Sequence, residues 1–255
     1  MKVLEFDAGN TRLKWRLLQV NDNGRKRIAH GYLANDQCWQ QALAELLTQS
    51  GPVDCARAAV VSGDARFQWL CAAVDDHLHI PVLQAQVKPV WRGVQVAYPE
   101  IGVDRWLAML AAHHRGGTGN KLVVSCGTAM TVDVLSGTGR HLGGFIVPGV
   151  GLMKQSLHAN TARLPLVADA AMAVSPGNNT MECINNGALA MAVAMINTQQ
   201  ADAFAAEENI NSVVYVTGGD AAVVKPFIQG VCLEYPELVM DGLALAFDDA
   251  LFTLD

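Results

Sequence analysis

Val3-Leu4-Glu5-Phe6-Asp7-Ala8-Gly9-Asn10-Thr11 opens the chain, and Leu122-Val123-Val124-Ser125-Cys126-Gly127-Thr128-Ala129 opens its second half in the same form. In each, an apolar run stops at a short turn that holds glycine beside Asn or Thr. Apolar residues then resume, at Leu13, Trp15 and Leu17 in the first case and over Met130–Leu135 in the second. This pattern reads as strand, tight turn, strand. Both junctions head a half of the chain, which points to two related lobes, each opening with a β-hairpin.

Outward from these hairpins, strand and helix patterns alternate. Asp36 is placed to cap a helix whose face carries Trp39, Leu43, Leu46 and Leu47, with Gly51 as its stop. Ala58–Val61 reads as a buried strand, and Phe67, Leu70, Cys71, Val74 and Leu78 share the next helical face. Pro81–Val87 and Val94–Ala97 read as strands. A helix from Val103 turns Trp106, Leu107 and Leu110 inward. The Gly-rich stretch 115–120 marks a lobe boundary, giving lobes at 1–114 and 115–255. In the second half, His141–Val147 reads as a strand, Leu152–Leu157 as a helix and Val213–Val216 as a strand. Asn179 with Glu182 three residues on forms a capping-box-like start for a long helix from Thr180 past Ile196. The class is therefore α/β.

Composition narrows the function. The 255 residues are 51% hydrophobic and only 16% charged, with a net charge of −6. So apolar a chain is not disordered, and its acidic balance argues against non-specific nucleic-acid binding. The longest clean apolar run, near Ala188–Ile196, is well short of the roughly 18 residues a membrane span needs. Charge interrupts the N-terminus before a signal-peptide core could form. The cysteines, Cys38, Cys55, Cys71, Cys126, Cys183 and Cys232, form no C-x-x-C pair, so buried free thiols in a reducing cytoplasm are expected.

Several stretches could carry chemistry. The backbone amides of the turn at 7–11 can face an anion, and Asp7 at the strand end could hold Mg²⁺. The turn at 125–129 repeats the device, and two such turns across a cleft would clamp phosphates. Asp104 and Arg105 open a helix, where an acid suits deprotonation of an alcohol and an arginine suits an anionic group. Asp133 is an acid in an apolar strand. It lies either at a solvated edge or against a cation, because an unpaired buried carboxylate is costly. Gly143, Gly144 and Gly149 mark a bulge or a close backbone approach. Thr217-Gly218-Gly219-Asp220 follows a strand and precedes a helix, a common ligand position in α/β proteins. The stretch 116–121 fails as a P-loop, because Asn120 precedes Lys121 and a strand follows. His113 and His114 point apart on a helix, and the seven histidines read as structural or surface groups.

Taken together, these motifs resemble the type III pantothenate kinases of bacteria. The resemblance runs in order through Asp-x-Gly-Asn-Thr at 7–11, Gly-Val-Asp-Arg-Trp at 102–106 and Gly-Thr-Ala-x-Thr-x-Asp at 127–133. It continues with Gly-Gly-x-Ile-x-Pro-Gly at 143–149, Thr161-Ala162-Arg163-Leu164-Pro165, Asn179-Thr180 and Thr-Gly-Gly-Asp at 217–220. Met130 stands where this family often has Thr. The resemblance implies the actin/Hsp70/sugar-kinase fold, with two ribonuclease-H-like lobes around a nucleotide cleft. It implies ATP-dependent phosphorylation of pantothenate, the first step towards coenzyme A, by a cytoplasmic homodimer with a shared active site. Mg²⁺ and a monovalent cation, K⁺ or NH₄⁺, are implied as cofactors. Asp7 would organise Mg²⁺, and Gly9, Asn10, Thr11, Lys14, Gly127, Thr128, Gly218 and Gly219 would surround the nucleotide. Asp104 would be the catalytic base. Tyr98, Gly102, Val103, Arg105 and Thr180 would bind substrate, and Asp133 would hold the monovalent cation. Ala188, Leu189, Ala192, Val193 and Ile196 are the candidate dimer face. Two alternatives stay open: a non-catalytic regulatory member of this family, and another small-molecule kinase of the same fold.

Overall fold

The computed structural model describes residues 1–21, 24–34, 39–167, 172–205 and 212–247. The chain divides into two compact units. One comprises Met1–Arg92, Tyr98–His114 and the chain from Leu238; the other comprises Gly93–Ala97 and Arg115–Glu237. The second unit therefore does not run to residue 255, as the sequence reading has it.

The first unit holds β1 (Lys2–Ala8), β2 (Arg12–Asn21), β3 (Gly24–Ala34), α1 (Trp39–Ser50), β4 (Cys55–Val60), α2 (Asp64–Leu78) and β5 (Val82–Gln84). Two short strands follow, β6 (Val90–Trp91) and β7 (Val94–Gln95), then α3 (Val103–Arg115). The sheet order is β3-β2-β1-β4-β5. β1 runs antiparallel to β2 and parallel to β4. Leu4, Phe6, Ala56 and Ala58 pack one sheet face against Leu43 and Leu47 of α1 and Leu70 and Val74 of α2. The capping role read for Asp36 falls outside the described residues, as does Cys38.

The second unit holds β8 (Lys121–Cys126), β9 (Ala129–Leu135), β10 (His141–Pro148), α4 (Val150–Asn160), α5 (Thr180–Phe204), β11 (Val213–Thr217), α6 (Ala221–Val224) and β12 (Cys232–Glu234). Its sheet order, β10-β9-β8-β11-β12, repeats that of the first. The strand directions repeat too: β8 is antiparallel to β9 and parallel to β11. Leu122, Val124, Val132, Val214 and Val216 pack against Leu189, Ala192, Val193 and Ile196 of α5.

That packing corrects one expectation. Ala188, Leu189, Ala192, Val193 and Ile196 lie in the core of their own unit, at 0–6% exposure. A helix this apolar all round covers its own sheet first, and the large apolar residues it leaves exposed are Met181 and Met191. Asn179 caps α5 as expected, its side chain accepting from the Glu182 amide at 3.0 Å. Glu182 returns the bond one residue earlier than in a capping box, to the Asn178 amide at 2.8 Å.

The last helix, α7 (Leu238–Ala246), packs against β1 and β4 of the first unit. It is fastened by charge. Arg16 on β2 donates from Nε to Glu5 at 2.7 Å, from Nη1 to Asp241 at 2.8 Å and from Nη2 to the Met240 carbonyl. Arg25 reaches the same Asp241 oxygen at 3.2 Å. Glu5, Arg16 and Asp241 are all buried, so each charge depends on the others for the solvation it has lost.

Candidate active site

In the first unit, β1 delivers Asp7 to its C-terminal end, where the chain turns through Gly9, Asn10 and Thr11. Gly9 N donates to the Arg12 carbonyl at 3.1 Å and closes the turn. Asn10 and Thr11 are exposed at its tip. The hairpin register places Lys14 opposite Asp7, with Nζ 3.9 Å from the carboxylate. Asp7 is mostly buried, and burial pushes its carboxyl up to about 6. Lys14 opposes that rise, and the negative charge of Asp104 adds to it. Asp7 and Asp104 thus feel one another although 97 residues separate them in sequence.

Asp104 sits in the first turn of α3, and Trp106 N donates to the Gly102 carbonyl at 3.1 Å. A Cβ on Gly102 would stand 2.7 Å from Asp104 Oδ1, so the glycine leaves room for that carboxylate. Val103 is half-buried beside it. Arg105 is buried, and its Nη1 donates to the Tyr98 hydroxyl at 2.7 Å. Tyr98 is the exposed member of this pair. Arg105 therefore braces Tyr98 more than it offers itself to solvent.

In the second unit, Gly127 and Thr128 link β8 to β9, and Gly127 N donates to the Ala129 carbonyl at 3.1 Å. Two glycine-rich loops hold this turn from either side. Gly149 N donates to the Thr128 carbonyl at 2.9 Å, and a Cβ on Gly149 would overlap the Gly127 carbonyl. Gly218 has φ +103, and a Cβ there would overlap the Cys126 backbone. The Asp220 amide donates to the Cys126 carbonyl at 3.0 Å, which seats Gly218 and Gly219 beside the turn. Burial pushes the Cys126 thiol up to about 12, so it stays inert next to these loops. The register irregularity of β10 falls between His141 and Gly143, as the bulge reading of the glycines expects.

Thr180 lines a cavity of about 760 Å³ within the second unit, together with Asn179, Leu157, Leu164, Cys183 and Met191. Asp133 is neither at a solvated edge nor against a metal-type donor set. It is 1% exposed, and its Oδ1 lies 3.0 Å from His141 Nε2. Among the described residues, no group of three or more His, Cys, Asp and Glu side chains could hold a metal ion.

The sequence reading missed two groups near the first turn. Val61 N donates to the Ala8 carbonyl at 3.2 Å, so the loop after β4 lies alongside the turn. Arg66, in the first turn of α2, donates to the Gly9 carbonyl at 3.4 Å, and Ser62 Oγ is buried without a hydrogen-bond partner among the described residues. The one sequence signal was their position just past a buried strand, where parallel neighbours bring loops together.

Two glycine-bearing turns on duplicated sheets of the same strand order, with an acid at the first strand end and an acid at the start of α3, are the arrangement of the actin and sugar-kinase fold. Solved structures agree on the fold. A candidate 2-dehydro-3-deoxygalactonokinase from Sinorhizobium meliloti matches with a TM-score of 0.57 at 15% identity, covering 96% of this chain and 97% of that one. A candidate Baf-family transcriptional activator from Campylobacter jejuni matches at 0.62 and 18% identity, covering 95% and 96%. The family model for type III pantothenate kinase matches residues 3–202. Proteins named type III pantothenate kinase are 36% identical in Ectopseudomonas mendocina and 34% in Pseudomonas aeruginosa, each covering 96% of this chain and 98% of the relative. The chain belongs to the type III pantothenate kinase family and is an ATP-dependent kinase of that kind.

Proposed function

We propose that this chain performs its family's reaction, transfer of the ATP γ-phosphoryl group to the hydroxyl of pantothenate, with Asp104 as the base. The observation that carries the assignment is the electrostatic proximity of Asp104 to Asp7. It puts a proton acceptor near the carboxylate best suited to a phosphate-bound cation. As the pantothenate oxygen bonds to the γ-phosphorus, its proton passes to the Asp104 carboxylate and ADP leaves. Phosphoryl transfer of this kind is mostly positioning and charge stabilisation. In the first unit, Gly9, Asn10 and Thr11, with Lys14, are the phosphate-binding group of this reading; in the second, Gly127, Thr128, Gly218 and Gly219 are its nucleotide-binding group. Tyr98, braced by Arg105, and Gly102 and Val103 bind the substrate.

Asp7 fits Mg²⁺. Its carboxylate is largely buried at the end of β1, beside the exposed turn at Asn10 and Thr11, with Lys14 Nζ 3.9 Å away. Mg²⁺ takes few protein ligands when phosphates supply the rest, and bound there it would neutralise charge on the phosphates. Asp133 does not fit a monovalent cation, because an imidazole already takes one of its oxygens in a buried site. A K⁺ or NH₄⁺ requirement remains part of the proposal for the chain, with its ligands elsewhere.

A homodimer is proposed through exposed apolar residues, Leu157 and Met191 lining the cavity and Met181 next in the chain to Thr180, with Thr180 on the shared site. A cytoplasmic location is part of the same proposal. None of the described helices is long and apolar enough to cross a membrane. The test is ADP release from ATP with and without pantothenate, in K⁺ buffer with Mg²⁺. Pantothenate-dependent release supports the proposal; hydrolysis that ignores pantothenate, or none at all, would leave a regulatory or other kinase role.

A further inference from the structure

Arg66 sits where a cation is least welcome. It lies in the first turn of α2, just past Gly63 at the helix N-cap, and the positive end of a helix dipole disfavours a guanidinium there. Partial burial works in the same direction and lowers its pKa. Two contacts offset that placement. The guanidinium carbon lies 4.7 Å from the centre of the Trp39 ring at the start of α1, within the range of cation–aromatic attraction. Trp39 is held in turn by Trp69, further along α2, with ring centroids 4.5 Å apart. Arg66 Nη1 then donates to the Gly9 carbonyl at 3.4 Å. All of these residues belong to the first unit. The Gly9 carbonyl and the Asn10 amide share one peptide, and the C=O and N–H of a trans peptide point in opposite directions. A donor that fixes the carbonyl towards α2 therefore turns the Asn10 amide away from α2. Without a Cβ, Gly9 lets this peptide rotate more freely than most, so an outside donor has something to fix.

We infer that Arg66 is a positioning residue for the nucleotide: by holding the Gly9 carbonyl it sets the direction of the Asn10 amide that meets the phosphates. The inference rests on the reading of Gly9, Asn10 and Thr11 as a phosphate-binding group. In this role Arg66 touches neither substrate nor the reacting atoms. The second unit uses backbone for the same purpose, since Gly149 N holds the Thr128 carbonyl at 2.9 Å. In each unit, then, a donor from outside the hairpin fixes one carbonyl of its turn.

The experiment compares Arg66→Met with Arg66→Lys. Met removes the donor and keeps a chain that can pack on Trp39, whereas Lys keeps a charged donor. Arg66→Met should weaken binding of ATP with Mg²⁺ about five- to tenfold by calorimetry, the worth of one hydrogen bond. The KM for pantothenate should stay within about twofold. Amide exchange at Asn10 should quicken in nucleotide-free Arg66→Met, and Arg66→Lys should lose less on both measures. Weaker ATP binding with unchanged exchange at Asn10 would overturn the inference, because Arg66 would then act on the phosphates directly. Unchanged ATP binding, an equal loss for pantothenate, or equal effects of the two substitutions would overturn it too. If the unaltered protein binds ATP but releases no ADP in response to pantothenate, the functional reading fails instead. The affinity and exchange measurements still decide the role of Arg66 in that case.

Discussion

The two units share a sheet order and a hairpin, yet their corresponding positions carry different chemistry. The last paired residues before each turn are Ala8 with Leu13 in the first unit and Cys126 with Met130 in the second. Counting back one pair, Asp7 corresponds to Ser125. Counting back three, Glu5 opposite Arg16 corresponds to Val123 opposite Asp133. The first unit thus carries a carboxylate at the mouth of its turn, and the second carries a neutral hydroxyl there. Asp133 stands where the first unit has Arg16, two residues deeper, or roughly 7 Å further into the sheet. Both deep positions hold a buried charge with an internal partner, Glu5 and Asp241 for Arg16, His141 for Asp133. The duplicated fold therefore differs by depth: the proposed ligand groups lie at the turn, and structural pairing lies beneath it.

This division can be broken experimentally. The largest effect is expected at the mouth of the first unit, where Asp104→Asn should lower kcat about 10²–10⁴-fold with little change in substrate KM. Near-normal kcat would remove Asp104 from its role. At depth, Arg16→Ala should destabilise the protein by about 3 kcal/mol in denaturant melts, since it takes the shortest ion-pair partner from buried Glu5 and Asp241 and leaves them Arg57 at 3.9 Å and Arg25 at 3.2 Å. A loss under about 1 kcal/mol would mean the network is solvated.

Asp7→Asn should do the reverse to the free protein while abolishing Mg²⁺-dependent turnover. The folded carboxyl is raised from 3.8 to about 6, so the folded state holds its proton more tightly than the unfolded state. Stability contributed by that proton is present below pH 4 and is lost as pH rises through 6. The substitution should therefore stabilise the metal-free protein by up to about 3 kcal/mol at pH 7–8, and by little at pH 4. Equal melting temperatures at both pH values would contradict it. Asn179→Ala should cost about 1 kcal/mol through loss of the α5 cap, read as a lowered melting temperature. The smallest effect is expected for Asp133→Ala on the ratio of activity in K⁺ to activity in Na⁺, which should not change. Loss of discrimination would return Asp133 to cation binding.

The hairpins were legible because apolar runs broken by glycine have few other readings. The start of α3 was legible too, with Asp104 two residues after Gly102 in its first turn. β3 was not, because Arg25, Lys26 and Arg27 make its start look like solvent-exposed loop. It is an edge strand whose residues face water along much of its length. α7 was missed because all nine of its residues are buried, which erases the helical period that a reader looks for. Arg66, Ser62 and the His141–Asp133 pair depend on strand register, which spacing in the chain does not encode. The α5 residues were recognised as apolar, but composition alone does not say whether an apolar face meets its own sheet or another molecule.

The Arg16–Asp241 contact spans 225 residues of sequence. A ribosome releases β1, β2 and β4 long before α7, so the first sheet emerges with an arginine destined for burial and half its acids missing. The unit synthesised first is therefore the one completed last. During translation the second unit, contiguous from Arg115 to Glu237 apart from a short piece at Gly93–Ala97, can close around its own core while the first still waits. Nascent chains halted shortly before Asp241 should expose the first sheet to proteases and chaperones while the second already resists them.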